Sequence, residues 1–385
     1  MTIQTKRIKT AHLTSAHPRR DARIFLKECS SLARAGYDAH LVVADGLGNS
    51  AENGVTFTDV GKASGRLSRM VGAAYRVFAA GLKLDADVYH LHDPELLPYA
   101  VMLKLKGKTV IFDAHEDLPR QILSKHYLPV AVRKTTSVLA EAGQKSICRR
   151  LDFVVAATPV IAQSFRAMGV ASEAINNFPL PGELEMSAAT RSRKKNQVCY
   201  IGGITTVRGI RQIISALGLV KSGVRLTLAG NFAERELEKE LMQTKEWKHV
   251  DATGFVSRDK VRSILEESIA GLVTLLPTRA YLDSLPVKMF EYMAAGLPVI
   301  ASDFPLWREI VDDADCGVLV DPEDPQAIAD AIDTIVNDPE MARRMGENGA
   351  RAVREKYNWG IEEKKLLAVY SKLVGPPQKD AGPVV

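Results

Sequence analysis

A chain of 385 residues is too long for one ordinary core, so two domains are expected. Its 46% apolar and 25% charged residues are those of a soluble globular protein, and no stretch approaches the roughly 20 uncharged apolar residues that a membrane span needs. The net charge of +5 is uneven: residues 1–195 hold 28 Lys and Arg against 18 Asp and Glu, and the remainder 23 against 28.

That asymmetry suits a first half that meets something anionic: nucleic acid, an acidic membrane surface or a phosphorylated lipid. An ordinary solvated basic surface accounts for it as well. The start, "MTIQTKRIKTAHLTS", lacks the apolar centre of a signal peptide, which predicts a cytoplasmic protein. Cys29, Cys148, Cys199 and Cys316 show no CxxC spacing, so buried thiols are expected rather than disulfides or a zinc site.

In chain order, strands are expected at "IKTAHL" (8–13), "AHLVVAD" (39–45), "DVYHLH" (87–92), "KTVIFDA" (108–114) and "FVVAAT" (153–158). Helix-period segments fall between them near 22–35, 66–83, 95–106 and 129–149. The polar run "SAATRSRKKNQ" (187–197) reads as a linker. Alternation then resumes with strands at "VCYIGG" (198–203), "VRLTLAG" (224–230), "AGLVTLL" (270–276), "LPVIASD" (297–303) and "CGVLVD" (316–321). A late helix near 360–373 could cross back to the first half, and the tail "GPPQKDAGPVV" is expected to be disordered. Such alternation predicts parallel sheets covered by helices on both faces, with ligands beyond the carboxyl ends of the strands.

The stretch "DSLPVKMFEYMAAGLPVIASD" (283–303) concentrates the chemistry. Ser284 is a candidate helix N-cap, and Pro286 suits the first turn, where its missing N–H costs nothing. Free N–H groups beside Lys288 would make a phosphate site. Glu291 could accept hydrogen bonds from sugar hydroxyls, so the stretch suits a nucleoside diphosphate. A capped helix with a solvated Lys288–Glu291 pair fits the same spacing.

This stretch closely resembles the donor-binding signature of retaining glycosyltransferases of family 4. The resemblance implies the GT-B fold: α/β, with two Rossmann-like doubly wound domains facing across a cleft. Expected boundaries are 1–190 for the acceptor-side domain, 191–358 for the donor domain, 359–375 for the crossing helix and 376–385 for the tail. The signature has two acids separated by seven residues. Glu291 is the second and would hold the ribose; Asp283 stands where the family usually has glutamate.

"YIGGITTVRGIRQII" (200–214) is similar to the glycine-rich turn that opens the second domain, with Gly202 and Gly203 at the phosphates and Arg208 on the diphosphate. A second basic residue of the family would fall on Gly202, so that contact is missing or supplied elsewhere. Ser284, Leu285 and Lys288 complete the donor set, and "GFVSRDKV" (254–261) makes Val256 a candidate for meeting the base. In "VIFDAHEDLPRQI" (110–122) the family's histidine next to the donor sugar is His115, although a strand-end histidine is commonly structural. "HLHDPELLPYA" (90–100) resembles a turn lining the same cleft and offers His92 and Asp93; "TSAHPRRDARIF" (14–25) offers His17, Asp21 and Arg23 to the acceptor.

The resemblance implies sugar transfer from a UDP- or GDP-linked donor to a glycan or polyprenyl-diphosphate-linked acceptor, with retention, in cell-surface polysaccharide synthesis. No cofactor and no metal are expected, the two "DAD" triplets at 85–87 and 313–315 being chance occurrences. The basic first half would meet an acidic inner-membrane surface, making the protein peripheral, and no nucleic-acid motif is present. No GxGxxG follows the first strand, which argues against a dinucleotide dehydrogenase. A catalytically weakened nucleotide-sugar sensor or scaffold is the rival of a different class.

Overall fold

The computed structural model describes residues 7–65, 68–123, 129–186 and 195–377. They form two compact units, one of residues 1–177 with 361–385 and one of residues 178–360. The division thus falls at Asn177/Phe178 and Gly360/Ile361, not at 190/191 and 358/359. Most of the expected linker (187–194) and of the tail (378–385) lies outside the described residues.

The first unit is built on β1 (Lys9–Leu13), β2 (Asp38–Val43), β3 (Ser50–Glu52), β4 (Val55–Asp59), β5 (Val88–Leu91), β6 (Thr109–Ala114), β7 (Phe153–Ala156) and β8 (Ser172–Ala174). Their order across the sheet is β3-β4-β2-β1-β5-β6-β7-β8, and only the β3–β4 pair is antiparallel. β7 is a continuous apolar run and β5 is apolar except for His90, and both are buried along their whole length, as a sheet covered on both faces requires. The β3–β4 hairpin escapes the sequence pattern because "SAENGVTF" is short and polar; its Asn53-Gly54 corner takes positive φ at both residues, as a tight hairpin turn demands.

The second unit carries β9 (Gln197–Ile201), β10 (Arg225–Ala229), β11 (Val250–Gly254), β12 (Gly271–Val273), β13 (Val299–Ser302) and β14 (Gly317–Val320). These strands are all parallel, in the order β11-β10-β9-β12-β13-β14. This is the doubly wound dinucleotide-fold order, and the first unit follows it once β3 is set aside. Chain direction across the sheet reverses between β9 and β12 here, and between β1 and β5 in the first unit. The loops after β9, and after β1 and β5, are therefore the ones a ligand can enter.

The four cysteines are buried and form no disulfide. The last helix, Trp359–Val374, joins the first unit from Ile361 onward. Glu362, 1% exposed, accepts hydrogen bonds from Asn176 N at 2.9 Å and Asn176 Nδ2 at 3.1 Å, while Tyr370 places its hydroxyl 2.9 Å from His90 Nδ1. Buried hydrogen bonds to a charged acceptor contribute more than neutral ones. Glu362→Ala should therefore lower the stability of the first unit by about 2–3 kcal/mol in urea unfolding, because it leaves two buried donors unsatisfied.

Candidate functional site

In the second unit the residues converge around the loop that follows β9. Gly202 has φ +125°, a backbone conformation that favours glycine. A Cβ there would lie 3.3 Å from Lys288 Nζ, and one on Gly203 would lie 3.0 Å from Arg208 Nη1. The absence of side chains at 202 and 203 lets both cations pack against the loop backbone. Arg208 lies in the one-turn 3-10 segment Thr206–Arg208 and donates to Gly203 O at 2.9 Å.

Lys288 stands in the first turn of helix Val287–Ala294. Its ammonium lies over the Tyr200 ring, 3.6 Å from the centroid, is shut off from solvent and has no hydrogen-bond acceptor among the described residues. Burial first, and Arg208 second, hold its pKa well below that of an ordinary lysine. A cation–π contact is worth about 2 kcal/mol when desolvated, less than burying an unpaired ammonium costs. The pocket is therefore electrostatically incomplete, and an anion would complete it. Position 202, where the resemblance would put a second basic residue, is glycine, and the Lys288 ammonium comes beside it from another element.

The helix start differs from the sequence expectation. Helix Val287–Ala294 is capped by Pro286, without a side-chain cap. Ser284 is not the N-cap, because its Oγ donates to Tyr281 O at 3.0 Å and its own carbonyl accepts from Trp307 Nε1 at 2.7 Å. The Ser284 backbone N–H is also spent on Tyr281 O, so both donors of this residue are engaged within the turn. Leu285 packs against the core, as does Val256. Asp283 closes the short helix Arg279–Leu282 and is half-buried.

Glu291 does not form a solvated pair with Lys288. Its Oε1 lies 2.7 Å from Arg258 Nη1, and Arg258 Nε donates to Glu183 Oε1 at 2.8 Å. Burial works against the Arg258 guanidinium, but Glu183 and Glu291 more than offset it and raise its pKa. Sequence reasoning missed Arg258, although it lies inside the quoted "GFVSRDKV" segment, two residues after Val256.

In the first unit a second polar group surrounds the carboxyl ends of β1, β5 and β6. His115 Nε2 lies 2.8 Å from Asp113 Oδ2 and 3.4 Å from His92 Nδ1, and its ring centroid is 4.9 Å from that of His17. His17 reaches Asp21 at 3.4 Å and Asp93 at 3.5 Å. Burial alone would lower the His17 pKa, but the Asp21 bond and the Asp93 charge outweigh it, and the pKa is raised.

Three of the five residues expected at the acceptor are interior. Arg23 is 3% exposed and forms a two-pronged pair with Asp113, Nε to Oδ2 at 2.8 Å and Nη2 to Oδ1 at 2.7 Å. It braces the sheet end and has no reach to a ligand. His92 is buried against Asp113. Asp93 is buried too: its Oδ2 accepts from Thr14 Oγ1, Ser15 N and Ala16 N, which pins the loop that carries His17. His17 and Asp21 are half-buried and keep a solvent-facing edge, and Asp21 also caps the helical segment Ala22–Cys29. Burial opposes the Asp113 carboxylate, yet Arg23 and His115 hold its pKa well below the usual range.

Comparison with known proteins follows the same division. Residues 183–352 match the model described as glycosyl transferases group 1, and residues 22–181 match that of the glycosyl transferase 4-like domain. The chain is 28% identical over 180 residues to the alpha-D-kanosaminyltransferase of Streptomyces kanamyceticus, covering 46% of this chain and 45% of that protein. Over 88 residues it is 35% identical to the phosphatidyl-myo-inositol mannosyltransferase of Mycobacterium leprae, 23% of each chain. The chain spans less than half the length of these curated relatives. Among solved structures, the sucrose-phosphate synthase of Thermosynechococcus elongatus superposes with a TM-score of 0.77 at 18% identity, covering 95% of this chain and 98% of that one. Anabaena HepE in complex with UDP-glucose gives 0.73 at 17% identity, covering 95% and 100%. At these identities the structural likeness speaks for the fold.

An unpaired buried ammonium leads to an expectation about the ligand-free protein. Lys288→Met keeps the stem volume and removes the charge, so it should raise the thermal midpoint by a few degrees, about 1 kcal/mol. The same variant should bind inorganic pyrophosphate at least tenfold more weakly in calorimetry.

Proposed function

The chain belongs to the glycosyl transferases group 1, with a family 4-like first domain and the GT-B fold, and on that premise we propose that it transfers a sugar from a nucleoside-diphosphate donor. The observation that carries the reading is the open glycine loop at 202–203 with Arg208 and Lys288 aimed into it. Breaking the bond between the anomeric carbon and the diphosphate builds negative charge on the leaving oxygen. Fixed cations at that oxygen stabilise the transition state more than the ground state.

In this reading the diphosphate lies along Gly202 and Gly203, with Lys288 and Arg208 on its oxygens. Glu291 accepts from the ribose hydroxyls and shares its carboxylate with Arg258, and the backbone at Val256 meets the base. His115 and Asp283 are assigned to the sugar. The donor is UDP- or GDP-linked and the sugar a hexose or N-acetylhexosamine. UDP and UDP-glucose are present in the solved HepE complexes, which favours a uridine donor.

The reaction retains anomeric configuration. The acceptor hydroxyl forms its bond to the anomeric carbon on the face from which the diphosphate leaves. The departing phosphate oxygen takes the hydroxyl proton, so charge and atoms balance without a metal or cofactor. The acceptor is a glycan or a polyprenyl-diphosphate-linked saccharide of a surface polysaccharide pathway, handled through His17 and Asp21.

Such an acceptor calls for peripheral attachment to the cytoplasmic face of a membrane. None of the described helices is long and apolar enough to cross one. The 19-residue helix Val130–Cys148 instead turns most of its surface outward, exposing Val130, Val132, Val138 and Leu139 beside Lys134 and Lys145. Apolar side chains set among lysines suit an anionic lipid surface.

Two measurements test the reading. Calorimetry with UDP and GDP should give binding that Arg208→Ala and Glu291→Ala each weaken at least tenfold. Because the diphosphate raises the depressed Lys288 pKa, binding should take up protons, and affinity should fall as pH rises above the free-state value. Turnover of the matching nucleotide sugar with a panel of acceptors separates the enzyme from the scaffold: binding without turnover on any acceptor would favour the latter. Separately, the protein should bind vesicles containing phosphatidylglycerol and lose most of that binding between 50 and 500 mM salt. Val138→Glu with Leu139→Glu should abolish it, and salt-independent or absent binding would remove the membrane from the proposal.

A further inference from the structure

Beneath the His17–His115 surface, the first unit holds a group of side chains that the donor chemistry does not use. His12 on β1 and His90 on β5 are register partners, so both project from the same face of the sheet. His92 follows two residues after His90 and projects from that face as well. Glu28 enters from the helical segment Ala22–Cys29, which is a π-helix. Its wider turn brings residues five apart together, which sets Arg23 Nε 3.1 Å from Glu28 Oε1. All four residues are fully buried or within 2% of it.

Glu28 Oε2 lies 4.0 Å from each of His12 Nδ1, His90 Nδ1 and His92 Nε2. Neither Glu28 oxygen accepts a well-formed hydrogen bond among the described residues, and Arg23 is already engaged by both prongs of Asp113. Among the described residues Arg23 is the one cation beside Glu28, and the Asp113 carboxyl faces it as well; a buried carboxylate so placed is costly, and native proteins resolve such groups with a proton or a cation.

The outward nitrogens are already held. His92 Nδ1 lies 3.2 Å from Asp113 Oδ2, and the Tyr370 hydroxyl lies 3.2 Å from His12 Nε2. A carboxylate behind one ligating histidine and a hydroxyl behind another are the supports that orient imidazoles at metal centres.

We propose that His12, His90, His92 and Glu28 form a divalent-cation site of the zinc class, internal to the first unit. Three imidazoles and one carboxylate match the preferences of zinc, whose tetrahedral bonds of about 2.0–2.1 Å set ligand atoms about 3.3 Å apart. The 4.0 Å separations would contract toward the ion. The His12 Nδ1 to His92 Nε2 contact of 2.9 Å would open, and His90 Nδ1 would exchange the Tyr370 hydroxyl for the metal. With no exposed position for a substrate, the site would be structural: it would tie β1, β5 and the π-helix together beneath the loop that bears His17. It lies in a different unit from Lys288 and Arg208 and is not a metal on the donor diphosphate.

The test uses the full chain without a histidine tag. Purified protein dialysed against metal-free buffer should retain close to one zinc per chain by elemental analysis. Stripped protein reloaded with cobalt(II) should develop the visible absorption of a tetrahedral site, and reloading with zinc should raise the thermal midpoint. Glu28→Gln and His90→Phe should each abolish the cobalt band, while His249→Asn in the other unit should leave it unchanged. Less than 0.1 zinc per chain and no cobalt band in a folded wild type would overturn the proposal, leaving a protonated Glu28 as the solution. A band that survives both cluster variants would overturn it equally, since the ion would then sit elsewhere. Should the variants fail to fold, the wild-type metal content and cobalt spectrum decide alone.

Discussion

A lysine amine held out of water without a counter-ion is the constraint around which the second unit is organised. Lys288 gains something from the Tyr200 ring, but a cation–π contact leaves most of the lost hydration uncompensated. Such a group persists only where the surrounding structure overdetermines it. Here β9 supplies Tyr200, the reversal of strand order between β9 and β12 opens a notch, and the two glycines that follow β9 keep that notch free of side chains. The neighbouring Gly230, at φ +144°, packs so tightly on Gly202 that a Cβ would lie 2.0 Å from its carbonyl oxygen, which fixes the loop's position. Local stability is given up at the point where the proposed diphosphate would bind, a common trade at functional sites.

The first unit applies the opposite solution to its buried charge. Asp113 is met by both prongs of Arg23 and by His92 and His115, and Asp93 by a hydroxyl and two backbone donors. Each carboxylate rigidifies an element: Asp113 ties the π-helix to β6, and Asp93 ties the end of β5 to the loop after β1. His17 and Asp21 thereby sit on a surface whose foundation is fully bonded. Among the described buried carboxylates of that unit, Glu28 has no such set of hydrogen bonds.

Much of this was legible in the sequence, for identifiable reasons. The ten strands marked by apolar runs are all present, because parallel sheets bury both faces and leave long unbroken runs. Those missed were β3, β4, β8 and β11; all four lie at or next to a sheet edge, and "VDATG" in β11 is largely exposed and carries no run to see. The convergence of Gly202, Gly203, Arg208 and Lys288 was legible from motif spacing. The partner of Glu291 was not, because helical spacing points to Lys288 three residues away, whereas the actual cation, Arg258, arrives from another element. Ser284 misled for a related reason. Ser-x-Pro before a helical run is a sound capping signal, but the Tyr281 carbonyl and the Trp307 indole compete for the same polar groups and win. Burial decided Arg23: a basic residue in a polar loop looks available until a strand 90 positions away places a carboxylate beneath it.

The Arg258–Glu291 pair has a further consequence for how the donor would be received. One Glu291 oxygen lies 2.7 Å from Arg258, and that arginine also holds Glu183. A carboxylate fixed from one side is pre-oriented for hydroxyls arriving at the other, so little side-chain entropy is lost when a ribose binds. The same arginine, and not Lys288, is the ion-pair partner of Glu291. Lys288 and Arg208 are thereby left with their charge unspent, three residues along the helix and across the glycine loop. Segregating the two charge pairs lets one short helix offer an acceptor to a sugar and a cation to a phosphate. A direct Lys288–Glu291 pair, the arrangement helical spacing alone would favour, would have cancelled both.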